Sequence, residues 1–116
     1  MAIKNTALTT TGSTPLYTSS GTNAIVTIII CNIGTPDPAD ESVDACNLDL
    51  YAVKDGESED TGSQTFGNQI VSKLIVPAGE TIFFSDEKII LEDGDFIIGV
   101  ASAANLLSIT VSTLAV

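Results

Sequence analysis

The segment Ala24-Ile25-Val26-Thr27-Ile28-Ile29-Ile30-Cys31 constrains this chain more than any other. Most of its side chains are β-branched. They are stiff at χ1 and fit a pleated surface better than a helical turn. The run does not alternate, because an apolar residue falls on either face wherever the strand is started. Such a strand is expected to be covered twice, by a partner sheet on one side and by something else on the other. Its eight residues are far fewer than the ~20 that a membrane-spanning helix needs.

The rest of the chain reads the same way. It holds 14 Thr and 11 Ser, many Ile and Val, and regular Gly, Pro, Asn and Asp punctuation. No stretch has helical periodicity. Strands are expected at 15–18, 24–32, 47–54, 69–76, 81–85, 88–91, 96–101 and 107–113. The last is the cleanest: Leu107, Ile109, Val111 and Thr113 alternate with Ser108, Thr110 and Ser112. In 47–54, Leu48, Leu50 and Ala52 share one face and Asp49, Tyr51 and Val53 the other. Pro77-Ala78-Gly79-Glu80 and Glu92-Asp93-Gly94-Asp95 read as tight turns. About eight short strands in 116 residues predict an all-β fold, a two-sheet antiparallel β-sandwich of jelly-roll or Ig-like topology. Residues 1–14 read as an extended polar N-terminal arm with room for a short edge strand. Residues 15–116 read as one sandwich domain.

Composition narrows the function. Fifteen acids against four bases, all Lys, give a net charge of −11, which opposes phosphate backbones and argues against nucleic acid as a partner. With no His there is no Ser-His-Asp or Cys-His catalysis and no imidazole metal site. The start, MAIKNTALTTTGST, lacks the apolar core of a signal peptide, so folding in a cytosol and no membrane partner are expected.

Three patterns bear on chemistry. Ser85-Asp86-Glu87-Lys88 matches the S-x-x-K serine-nucleophile spacing. It bridges two strands rather than opening a helix, so a charged turn is expected. Asp37, Asp40, Glu41 and Asp44 crowd one loop, and Asp55, Glu57, Glu59 and Asp60 another. Hard cations need six to eight oxygens from such loops, yet the spacing fits no EF-hand, and solvated acidic loops are expected, with no cofactor. Cys31 and Cys46 read either as two free thiols or as one bond, the bond requiring that the two strands form a hairpin around loop 34–45. No nucleophile–base pair stands out, and no enzyme is expected.

Several segments together resemble a known family. T-A-L-T-T-T at 6–11, Y-T-S-S-G-T-N-A-I-V-T-I-I-I-C-N at 17–32, L-D-L-Y-A-V at 48–53, V-P-A-G-E-T at 76–81, K-I-I-L-E-D-G-D at 88–95 and S-I-T-V-S-T-L at 108–114 resemble small virion proteins of tailed bacteriophages, those of marine and cyanobacterial phages above all. The resemblance implies a non-enzymatic structural part of a virus particle, assembled in the host cytoplasm. It points first to a capsid decoration (cement) protein on the outer shell, a homo-oligomer with three as the expected number, contacting the major capsid or other virion proteins. A neck, tail or fibre component is the alternative within that reading. A carbohydrate- or Ca-dependent adhesion module is the alternative outside it. Within the virion reading, Ile25, Ile29 and Tyr51 are the expected outward-facing apolar contacts, with the opposite parity of strand 24–31 equally open.

Overall fold

The computed structural model describes residues 2–57, 68–86 and 88–116. Nine strands follow one another: β1 (Ala2–Ala7), β2 (Thr14–Thr18), β3 (Asn23–Asn32), β4 (Cys46–Val53), β5 (Gln69–Val76), β6 (Thr81–Phe84), β7 (Ile89–Leu91), β8 (Phe96–Ala101) and β9 (Leu107–Ala115). They form two antiparallel sheets, and the fold is an all-β sandwich. The first sheet runs β1-β9-β3-β6, with β7 also paired to β3. β6 pairs with residues 28–31 of β3 and β7 with residues 23–25, so the two lie end to end along one edge. The second sheet runs β2-β8-β4-β5. Successive strands change sheet at nearly every step, and β4 and β5 are the one consecutive pair that hydrogen-bond to each other among the described residues. With β6 and β7 taken as one interrupted strand, this is the strand order of a jelly roll, which decides between the two topologies left open by the sequence.

The N-terminal residues form the short edge strand for which the sequence left room, and that strand makes them part of the sandwich rather than an arm outside it. Residues 2–7 pair along the whole of β9, from Ala2 opposite Thr113 to Ala7 opposite Ser108. Leu8 is then buried in the core, and its N–H donates to the Leu107 carbonyl (2.9 Å). Leu8 is the large apolar side chain of this stretch that is buried, Ile3 remaining exposed, and burying such a group is worth roughly 1.5–3 kcal/mol. The segment is an edge strand of the sandwich.

The core lies between the sheets. Leu16, Ile25, Ile30, Leu48, Leu50, Ile97, Leu107, Ile109 and Val111 fill it. Gly99 in β8 permits the closest approach, because a Cβ there would stand 3.1 Å from Leu16 Cδ1. Thr6 shows the cost of the edge. Its Oγ1 is buried with no hydrogen-bond partner, on the core side of β1 opposite Ile109. Thr6→Val keeps the shape and removes the stranded hydroxyl, so it is expected to stabilise the protein by about 1 kcal/mol in urea unfolding.

The turn at 92–95 ties three segments together. Gly94 has φ +88°, the left-handed region that glycine enters without a Cβ clash. Asp95 Oδ1 accepts from the Asp55 N–H and Oδ2 from the Glu92 N–H, both at 3.0 Å. These two donors, with a smaller pull from Lys54 and against slight desolvation, hold the Asp95 carboxyl below its ordinary value. A carboxyl lowered on folding contributes stability above its unfolded value of about 3.9 and loses that contribution as pH falls through the folded value. Asp95→Ala is therefore expected to melt below the wild type at neutral pH, with the two melting curves converging under about pH 4, as thermal scans across pH would read.

Candidate interaction surface

The non-alternating run in β3 has a local cause. Between Ile25 and Thr27 the pairing with β9 shifts register, leaving Val26 as the extra residue of a β-bulge. Ile25 therefore points inward, and three residues later so does Ile28, followed by Ile30. Thr27, Ile29 and Cys31 take the outer face. The apolar run is thus two alternating halves out of phase rather than one strand apolar on both sides.

This placement revises the expected contacts. Ile25 is 1% exposed and belongs to the core. Tyr51 does lie on the face of β4 opposite Leu48 and Leu50, as alternation predicts, but it is only 5% exposed, buried with Val53 and Ile98 in a second cluster. Of the three, Ile29 alone stands on an open face, half-buried between its strand neighbours.

Pairing registers define that face. Across the outer side of the first sheet, Asn5, Thr110, Ile29 and Phe83 form one row. Ala7, Ser108, Cys31 and Thr81 form the next. Toward the other end lie Ile3 beside Ser112 and Thr27, and Leu114 beside Ala24 and Ile90. Phe83 is 62% exposed, Ile90 56% and Leu114 46%. Alternation in β9 gives the hydroxyl column, and in 81–85 it sets Ile82 and Phe84 on one side, as the core packing bears out, with Phe83 on the other; what the sequence did not show is that Phe83 and Ile90 flank the same face as that column.

No charged residue occupies these rows. Among the described residues the acids lie instead in the loops, at the turns and on the outer side of the second sheet, where Asp49 accepts from the Lys73 N–H (2.7 Å) and Gln69 Nε2 (3.1 Å). The sheet edges are guarded against strand addition. Lys4 sits in β1 and Pro15 in β2. β5 carries register shifts and Lys73 at φ 51°. The β6–β7 edge is interrupted at 85–88. Charged residues, proline, bulges and short strands are the common ways of blunting an edge.

Other candidates resolve differently. β3 and β4 belong to different sheets, so the hairpin that a Cys31–Cys46 bond requires does not form. Cys31 faces out from the first sheet, Cys46 is buried in the core, and both thiols are free. In the S-x-x-K segment, Lys88 Nζ donates to the Ser85 carbonyl rather than to its hydroxyl; Glu87 lies outside the described residues. In the first acidic loop the carboxylates cap their own turns. Asp37 Oδ1 accepts from the Ala39 N–H (2.9 Å), and Asp40 Oδ1 from the Ser42 N–H (3.0 Å) and hydroxyl (2.7 Å). Those bonds from Ser42 hold the Asp40 carboxyl below its ordinary value. No group of three or more His, Cys, Asp or Glu placed to hold a metal occurs among the described residues. The second acidic loop lies largely outside them, with Glu59 and Asp60.

Two clefts lie away from this face. One of about 250 Å³ opens between the sheets and is apolar, lined by Ile28, Leu50, Val71, Phe84 and Ile89 among others. Another, of about 410 Å³, lies between loop 34–45 and the end of β5, with Val43 and Ile75 beside Asp37, Glu41 and Glu80. Compared with family models, with curated proteins and with solved structures, the chain matches none.

Proposed function

We propose that the chain is a non-enzymatic structural protein of a tailed-phage particle, a capsid decoration protein bound as a homo-oligomer to the major capsid protein on the outer shell. The observation that carries this reading is the segregation of charge. A chain of net charge −11 keeps, among the described residues, the β1, β9 and β3 columns of one sheet face free of charged side chains and lined with Ser, Thr and aliphatic groups, with exposed Phe83 and Ile90 beside them. Exposed apolar groups gathered on one face, as Phe83, Ile90, Leu114 and Ile3 are, mark contacts with other proteins. The acidic loops suit a surface that looks away from packaged DNA. The resemblance of 48–53, 76–81, 88–95 and 108–114 to small virion proteins supports the same reading, because those segments coincide with β4, the 77–80 turn, β7 with its turn, and β9. The jelly roll is compatible with it and does not by itself assign a function.

The test is quantitative mass spectrometry of gradient-purified particles produced from cells that carry the gene. A decoration protein is expected in a fixed ratio to the major capsid subunit. A few copies per particle would move it to the neck, tail or fibre. Its absence from particles, with the protein remaining in the soluble lysate, would overturn the proposal.

A further inference from the structure

We infer that the outer face of the β1-β9-β3-β6/β7 sheet is the surface by which two copies of this chain bind each other, face to face about a two-fold axis. The inference rests on the structural-protein reading above in taking surface presentation as the work of the chain. It commits to a partner and a geometry which that reading leaves open.

Three observations carry it. The first is electrostatic. Two molecules of net charge −11 repel, and the repulsion is greatest where acids face acids. Among the described residues the β1, β9 and β3 columns bring no acid to the seam, and Asp86 and Lys88 stand at its margin between β6 and β7, so pairing there incurs less repulsion than pairing through the acidic loops. A head-to-tail contact needs two different patches, and the exposed aliphatics elsewhere, such as Ile75 beside Glu41 and Glu80, stand among acids. The uncharged face meets its like best in an isologous contact, in which the same residues meet their own symmetry mates. That argues for two copies rather than the three the resemblance implies.

The second is area. The face is four strand positions wide and as long as the ten-residue β3. At roughly 4.8 Å between strands and 3.3 Å per residue it measures about 19 by 33 Å, near 600 Å² per copy. Two such faces bury about 1,200 Å², the lower end of specific interfaces. Sheets stacked this way pack about 10 Å apart with strands aligned near −30°.

The third is what covers the alternatives. Every edge that could add a strand is blunted by Lys4, Pro15, the Lys73 bulge or the 85–88 break. The face carries Phe83 as an exposed aromatic anchor. Its hydroxyls rotate to find partners across the seam or in trapped water, and Thr110 is already satisfied by Asn5 Oδ1 at 2.8 Å.

The experiment is analytical ultracentrifugation of the whole protein over a range of concentrations, at low and high salt. A dimer is expected, and salt should strengthen it, because screening removes repulsion between copies and no ion pair across the seam is lost. Phe83→Asp and Thr110→Asp each enter a two-fold seam twice and should weaken the dimer by at least about 10-fold, with circular dichroism confirming the fold. Ile75→Asp, on the other sheet, should leave it unchanged. Cys31 gives a readout without any substitution: its alkylation should slow as concentration rises, while buried Cys46 stays protected throughout. A monomer up to millimolar concentration, a trimer, or a dimer broken by Ile75→Asp and not by Phe83→Asp would overturn the inference. Presence in purified particles together with a monomer in solution would overturn this surface and leave the virion role standing. A dimer through this face with no trace in particles would do the reverse.

Discussion

Asn32→Asp should cost more than about 4 kcal/mol at neutral pH, enough to leave much of the protein unfolded given the 5–15 kcal/mol total typical of single domains. Asn32 closes β3 and is 1% exposed. Its Nδ2 donates to the carbonyls of Asp44 (2.8 Å) and Val76 (2.9 Å), and its Oδ1 accepts from the Gly34 N–H (2.8 Å). Its backbone N–H donates to the Glu80 carbonyl (2.9 Å), and its own carbonyl accepts from the Gly79 N–H (3.1 Å). One side chain thus joins the end of β3, the 34–45 loop and the end of β5 across the two sheets. The aspartate has nearly the same shape but no donors. It would set a carboxylate oxygen against the buried Val76 carbonyl and the partly buried Asp44 carbonyl and leave both without a donor. Asn32→Leu removes the charge problem and keeps the loss of donors, so a smaller cost of about 2–3 kcal/mol is expected. Urea unfolding of the three proteins gives the ranking. Equal stability of wild type and Asn32→Asp would show that the hinge is not held by this amide.

Ile29 and Ile30 should answer the same substitution in opposite ways. Ile30 is fully buried between Leu107, Ile109 and their neighbours in the core, so Ile30→Ala is expected to cost about 3–4 kcal/mol and Ile30→Asp to prevent folding. Ile29, one residue away, stands on the outer face opposite Thr110 and Phe83. Ile29→Ala should cost about 1 kcal/mol, and Ile29→Asp should fold. The comparison tests the bulge itself. If the register did not shift between Ile25 and Thr27, continuous alternation from the buried Ile25 would turn Ile29 inward and Ile30 outward, and the two responses would exchange.

These two cases show where local pattern ends. β9 was legible because each of its residues declares its face: Leu107, Ile109 and Val111 against Ser108, Thr110 and Ser112. β4 was legible for the same reason, and Tyr51 does lie opposite Leu50. Its burial was not legible, since periodicity gives a side and not what covers that side. In β3 every candidate for either face is aliphatic, so a one-residue bulge leaves no trace in the pattern. Of the two readings of Cys31 and Cys46, the bond is lost because it required neighbours in sequence to be neighbours in a sheet. The jelly-roll order sends β3 and β4 to opposite sheets.

The amino-acid sequence alone determined the strand content, the turns at Gly79 and Gly94, and the acidity, because β-branching, alternation and left-handed glycines act over a few residues. Tertiary structure decided which sheet each strand joins, the phase of β3 after its bulge, the recruitment of Leu8 and β1 into the sandwich, and the meeting of Ile29, Phe83, Ile90 and Leu114 on one uncharged face. Those outcomes depend on pairing between segments as much as 111 residues apart, as Ala2 and Thr113 are. No local preference encodes such pairing; it is fixed by the burial of a shared core.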